Sequence, residues 1–138
     1  MSKHKNLSTR EAWRSPAFWM AALMTLVQAA YAFQAYWDPG AFAEYRGTPL
    51  SASADAVWVQ TYSSRTLFVS LIIGLLLLRR DHVTLKWVAL AGVVMPASDA
   101  LLAHQSGAAN AIVFRHVATV FYLLITFAFL LRWSRKRT

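Results

Sequence analysis

The sequence predicts an all-α fold, a four-helix transmembrane bundle with both termini in the cytoplasm. Three observations carry that expectation. Four apolar segments recur along the 138 residues, the basic residues gather in alternate connections, and the tryptophans fall near segment ends. The composition agrees, being 57% hydrophobic with charges kept out of long stretches, whereas a soluble surface carries charge throughout. One membrane domain over residues 1–138 is expected.

The first segment, about 17–37, follows Pro16, which suits a helix start because its missing N–H is unpaired there anyway. Its length corresponds to roughly 31 Å of helix, enough to cross a hydrocarbon core. The basic lead and Ala30-Tyr31-Ala32 also resemble a cleaved signal peptide. The apolar stretch nevertheless runs on to Trp37 and the lead is long, so the segment is expected to stay. A second segment spans about 57–78, interrupted by Arg65. The third, about 87–103, contains Pro96 and Asp99, and the fourth, about 112–131, contains Arg115 and His116. Between the first two lies a loop, 38–56, with turn signals at Asp38-Pro39-Gly40 and Arg46-Gly47-Thr48-Pro49. The stretch Ala41–Tyr45 between them is expected to form a short interfacial helix over the outer mouth of the bundle.

Orientation follows from lysine and arginine. Lys3, Lys5, Arg10 and Arg14 lead the chain, Arg79, Arg80 and Lys86 occupy the middle turn, and Arg132, Arg135, Lys136 and Arg137 end it. With four crossings all of these share one side, and only Arg46 lies on the other, so that side is cytoplasmic. Trp19, Trp87 and Trp133 fall near the inner boundary, with Trp13 just outside it, and Trp37 and Trp58 fall near the outer one, where indoles are favoured. The net charge of +8 therefore points to anionic lipid headgroups at the cytoplasmic face, and nucleic acid is not an expected partner. The chain has no cysteine, which excludes disulfides, thiol catalysis and iron–sulfur ligation.

Ionisable residues within spans are costly and are usually paired or face a cavity. Arg65, Asp99, Arg115 and His116 all fall in the outer half of the expected bundle. Helical phase puts Arg115, Thr119, Tyr122 and Thr126 on one stripe, with His116 beside it, and puts Tyr62 with Arg65. Pro96 shares a face with Asp99 and frees the carbonyl of Gly92, while the first segment offers Gln28 and Tyr31. The simplest reading is a structural ion pair of Asp99 with Arg65 or Arg115. Its arithmetic leaves one arginine over, and an unbalanced buried charge calls for water or an anionic ligand. A metal site from Asp99, His104 and His116 is disfavoured by the two arginines, and His4 and His82 lie on the cytoplasmic side. No metal or cofactor is expected.

The chain resembles a family of small bacterial four-helix membrane proteins defined as a domain of unknown function (4267), more loosely the DoxX-like proteins. The likeness rests on Asp38-Pro39, Tyr45-Arg46-Gly47-Thr48-Pro49, Arg65 ahead of Gly74-Leu75-Leu76-Leu77, Pro96-x-x-Asp99 and His116. It implies a multi-pass protein of the bacterial inner membrane and no particular reaction.

The leading functional expectation is a binding protein or accessory subunit whose outer-half pocket holds an amphiphile with an anionic or carbonyl head. Arg65 and Arg115 would clamp its head, Asp99 would orient one arginine, and Tyr62, Thr119, Tyr122, Gln28 and His116 would line the pocket. One alternative is a small membrane enzyme acting on a lipid or quinone-type substrate, with His116 and Asp99 in proton transfer. Another is a purely structural cluster. A transporter resembling the small multidrug exporters is ranked last, because residues 17–37 hold no acid. A homo-oligomer is compatible with all of these.

Overall fold

The computed structural model describes residues 15–135, so Trp13 and the basic residues Lys3, Lys5, Arg10, Arg14, Lys136 and Arg137 lie outside the described residues. Helix α1 spans Pro16–Trp37, the short α2 Pro39–Arg46, α3 Ala56–Leu78, α4 His82–Gly92, α5 Val94–Gln105 and α6 Asn110–Arg135. A single 3-10 turn, Ser53–Asp55, leads into α3. Helices α4 and α5 continue one another, so four spans are long and apolar enough to cross a membrane: Pro16–Trp37, Ser53–Leu78, His82–Gln105 and Asn110–Arg135. Both described ends and the 79–81 turn lie at one end of the bundle. The 38–55 and 106–109 connections lie at the other, called here the loop end.

Local chemistry sets the boundaries. Asp38 serves two helices: its N–H donates to the Gln34 carbonyl at 2.9 Å, ending α1, and its Oδ1 accepts from Ala41 N–H at 3.0 Å, capping α2. Pro39 occupies the first turn of α2, where no donor is needed. Asp81 caps α4 by accepting from Thr84 N–H at 3.0 Å and from its hydroxyl at 2.6 Å, and these hydrogen bonds hold the Asp81 carboxyl below its ordinary range. The third span is longer than the 87–103 expected and is broken at Val93. Pro96 supplies no N–H one turn on, and Val93 N–H bonds back to the Leu90 carbonyl, at 3.2 Å, three residues earlier instead of four.

The spans pack as two helical pairs. Helix α1 lies along α3 over most of its length, α6 lies along both α4 and α5, and the two pairs touch each other sparsely. Small residues make the first contact close: Ala17, Ala21, Ala32 and Ala35 are buried on α1, and Ser63, Thr66 and Ser70 on α3. The Ser63 hydroxyl donates to the Ala32 carbonyl at 2.8 Å, and Ser70 to the Thr25 carbonyl at 2.9 Å. Without a hydrophobic drive between helices in lipid, such close approach and interhelical hydrogen bonding supply the association. Gly74 belongs to the same seam, since a Cβ there would sit 3.3 Å from Thr25 Cγ2.

This packing predicts position-dependent tolerance on one helix. Ala32 is 3% exposed, whereas Ala30 faces outward. Ala32→Leu should destabilise the bundle by about 1–3 kcal/mol, through overpacking, and Ala30→Leu by much less. Thermal unfolding of the two variants in the same detergent checks the difference.

Candidate functional site

The site is built from the loop end inward. Helix α2 ends on Gly47, whose φ of 83° is the left-handed conformation that closes helices. Its N–H donates to the Glu44 carbonyl and Thr48 N–H to the Ala43 carbonyl, both at 3.0 Å. Glycine is required here for a second reason. A Cβ at this position would lie 2.8 Å from Ile112 Cγ2 and 2.9 Å from Ala108 Cβ. The Gly47 carbonyl in turn accepts the Ser106 hydroxyl at 2.7 Å. The end of α2 is thus pressed against the α5–α6 connection.

That docking aims Arg46. Its guanidinium forms an ion pair with Asp99 of α5 through Nη2 and Oδ2. Its carbonyl accepts a hydrogen bond from His116 Nε2 of α6 at 3.1 Å. The guanidinium carbon also lies 5.4 Å from the ring centroid of Tyr31 on α1 and 5.8 Å from that of Phe42, within cation–π range. One residue therefore touches both helical pairs.

Beneath Arg46, between the pairs, lies a cleft of about 330 Å³. Its lining includes Gln28, Tyr62, Asp99, His116, Thr119 and Tyr122, so six of the eight expected residues come together. Tyr122 closes it away from the loop end by donating its hydroxyl to the Met20 carbonyl of α1 at 2.5 Å. Most of the rest is apolar, with Leu23, Val27, Met95 and Leu123. A second cavity of about 250 Å³, reaching Trp58 and Leu102, shares Arg46, Tyr62 and Asp99 with the cleft.

Two expectations need correction. Asp99 pairs with Arg46, and neither Arg65 nor Arg115 is its partner. Arg65 is exposed on α3 and lines neither cavity, because α3 turns its small hydroxyl residues inward and its charge outward. Arg115 is exposed at the rim, its guanidinium 4.5 Å from the centroid of the Tyr45 ring. It borders only a cavity of about 20 Å³ shared with Tyr31, Tyr45 and His116. Tyr45 lies on α2, and hydrogen bonding with Tyr31, then with Arg115, holds its phenol below the ordinary tyrosine value. The residue that sequence reasoning left in the loop, Arg46, is the central one. The signal that could have found it was the glycine after it, together with an intramembrane aspartate for which Arg46 is a third candidate partner.

The geometry also assigns the histidine. A carbonyl only accepts, so His116 carries its proton on Nε2 toward Arg46, and in the neutral ring Nδ1 is the lone-pair nitrogen. Orientation of the ring comes from the Arg46 backbone. Gln28 has no hydrogen-bond partner among the described residues, although it lines the cleft. Among the described residues, no three His, Asp or Glu side chains gather in a metal-binding group.

The family described as Domain of unknown function (DUF4267) matches residues 23–130. The chain belongs to this family. The DUF4267 match runs from Leu23 to Leu130 and so takes in α2, both cavities and every residue that Arg46 touches. No curated protein and no solved structure matches the chain.

The Arg46–Asp99 pair should behave as a coupled unit. Its side chains are 14% and 31% exposed, so removing either partner strands a partly buried charge. Arg46→Met and Asp99→Leu should each cost about 1–3 kcal/mol, and the double variant less than their sum. A double-mutant cycle on thermal unfolding measures this coupling, and strict additivity would rule out the pair as a working contact.

Proposed function

We propose that this DUF4267 protein is a membrane-embedded binding protein for an amphiphile with an uncharged, hydrogen-bonding head. The observation that carries the reading is the Gln28 amide. It lines the cleft with no protein partner among the described residues, and an unsatisfied amide within a bilayer costs free energy until something bonds to it. Across the cleft, α6 contributes the His116 imidazole, and α3 contributes Tyr62. Donors and an acceptor together suit a carbonyl or hydroxyl group.

Charge favours a neutral head. Arg46 is already balanced by Asp99, and Arg65 and Arg115 lie outside the cleft. The anionic option for the head, expected from one surplus arginine, thus loses its basis, and the carbonyl option stays. A volume of about 330 Å³ is near the small end of ligand sites, enough for a head group and the first part of a chain. The rest of the chain has a route outward, since Leu23, Val27, Ala118 and Thr119 along the α1–α6 side are all exposed. We place the cleft in the outer leaflet of a bacterial inner membrane. Arg79, Arg80, Arg132 and Arg135 at the opposite end make that end cytoplasmic.

His116, which lines the cleft, is the feature that favours the enzymatic alternative, because an imidazole can exchange a proton with an occupant. His116→Gln keeps an N–H for the Arg46 carbonyl while removing the titrating nitrogen. The two readings therefore separate: the variant should keep bound ligand, and any turnover should vanish.

Native mass spectrometry of gently solubilised protein tests binding directly. Wild type should carry a discrete bound mass that Gln28→Leu loses while unfolding at the same temperature or higher. An identical bound mass in the variant, or none in wild type, would sink the cleft reading. Orientation is checked by C-terminal fusions in a bacterial host. A fluorescent-protein fusion should glow and an alkaline phosphatase fusion should be inactive, and the reverse pattern would overturn the cytoplasmic assignment.

A further inference from the structure

Arg65 is left with no role by the cleft, and its surroundings define one. It is the tenth residue of α3, about 14 Å of rise from Ala56, so it lies well inside the span. It is exposed, and among the described residues it has no ion pair, hydrogen bond or ring contact. The described carboxylates near the loop end are otherwise engaged or distant in depth. Asp38 and Asp55 accept backbone N–H groups, Asp99 holds Arg46, and Glu44 sits on α2. A guanidinium facing hydrocarbon with no partner is costly enough that it must recruit one.

The direction in which it can do so is fixed by the helix. Side chains lean toward the N-terminus of their own helix, and α3 begins at the loop end. Arg65 therefore reaches over Thr61, one turn nearer that surface, and the same lean lets it snorkel toward the headgroups. Trp58, a further turn up and 75% exposed, marks the headgroup level. Below Arg65 the exposed face is Phe68, Leu71 and Leu75, an apolar surface that suits acyl chains.

We infer that Arg65 is a phosphate-binding residue that holds a phospholipid of the loop-side leaflet against α3. The planar guanidinium fork matches a phosphate diester bidentately, and the ligand's chains would lie along the apolar face beneath. Because Tyr62, one turn above, lines both cavities and is itself 36% exposed, the held headgroup would sit beside their lipid-facing opening. This inference does not depend on what occupies the cleft.

The test uses the full chain, purified in a mild detergent and titrated with dioleoylphosphatidylglycerol or, separately, phosphate-free dioleoylglycerol. Lipid retention is read by native mass spectrometry. Arg65→Gln should lower retention of the first phosphatidylglycerol by about fivefold or more, with Arg65→Lys intermediate, since lysine keeps the charge but loses the fork. Diacylglycerol retention should be the same in all three, and Gln28→Leu should leave phosphatidylglycerol retention unchanged. Equal retention in wild type and Arg65→Gln overturns the inference. So does a variant that keeps its lipid but loses a dimer mass, which would mean that Arg65 meets a carboxylate of another chain. If Arg65→Gln does not fold, the wild type–Arg65→Lys comparison decides, and equal phosphatidylglycerol retention there overturns it too.

Discussion

Two pairs of helices that touch each other only sparsely need something to keep them in register, and in this protein that is Arg46. Its side chain reaches Asp99 on α5, its carbonyl is bound by His116 on α6, and its guanidinium lies over Tyr31 on α1. Each contact would be modest at a water-exposed surface. Here the pair is mostly screened from solvent, so losing one partner leaves a charge with nothing nearby to solvate it. The rest of the loop serves that placement. Asp38 starts α2, Gly47 stops it in a conformation that glycine adopts without strain, and Ser106 bonds the Gly47 carbonyl. Shift any of them and Arg46 no longer points between the pairs.

Because the pairs are joined at their ends, by Arg46 at the loop end and by Tyr122 to Met20 deeper in, the space between is left incompletely filled. In water such a gap would be squeezed shut by the hydrophobic effect. In lipid, acyl chains are as apolar as the side chains they would replace, and closure gains little. A cleft with one unpartnered amide can therefore persist within a stable bundle, provided that something from the bilayer fills it.

Much of the fold was legible in the sequence because a bilayer leaves few solutions: a long uncharged segment must be a helix that satisfies its own backbone. The four spans followed from that, whereas the break in the third, beside Pro96, was not foreseen. The facing of α3 did not. Tyr62 and Arg65 lie three residues apart and were read as one inward polar face, but periodicity gives relative angle and not absolute direction. What decides it is which residues allow the closest approach to α1. Ser63, Thr66 and Ser70 are small, two of them bond carbonyls of α1, and with them inward Arg65 is turned toward lipid. The polar stripe on α6 was similarly divided. Tyr122 and Thr126 point inward, whereas Arg115 and Thr119 come out at the rim.

Arg46 was missed for a different reason, and it changes the chemistry of the site. Hydropathy assigns a charged residue between turns to solvent, and although a short helix was expected over the outer mouth, nothing local says that it turns Arg46 inward. Only the pairing requirement of Asp99 could have pointed to it. Once Arg46 is supplied, the surplus positive charge in the cleft disappears, and with it the argument for an anionic guest. The cluster then divides by depth and direction. A neutral pair fixes the two helical pairs, a neutral cleft below it offers hydrogen bonds, and the unpaired guanidinium of Arg65 is directed at the leaflet. On the two readings proposed above, an anionic group is drawn to the outside of α3, and the interior is left to a head that brings no charge of its own.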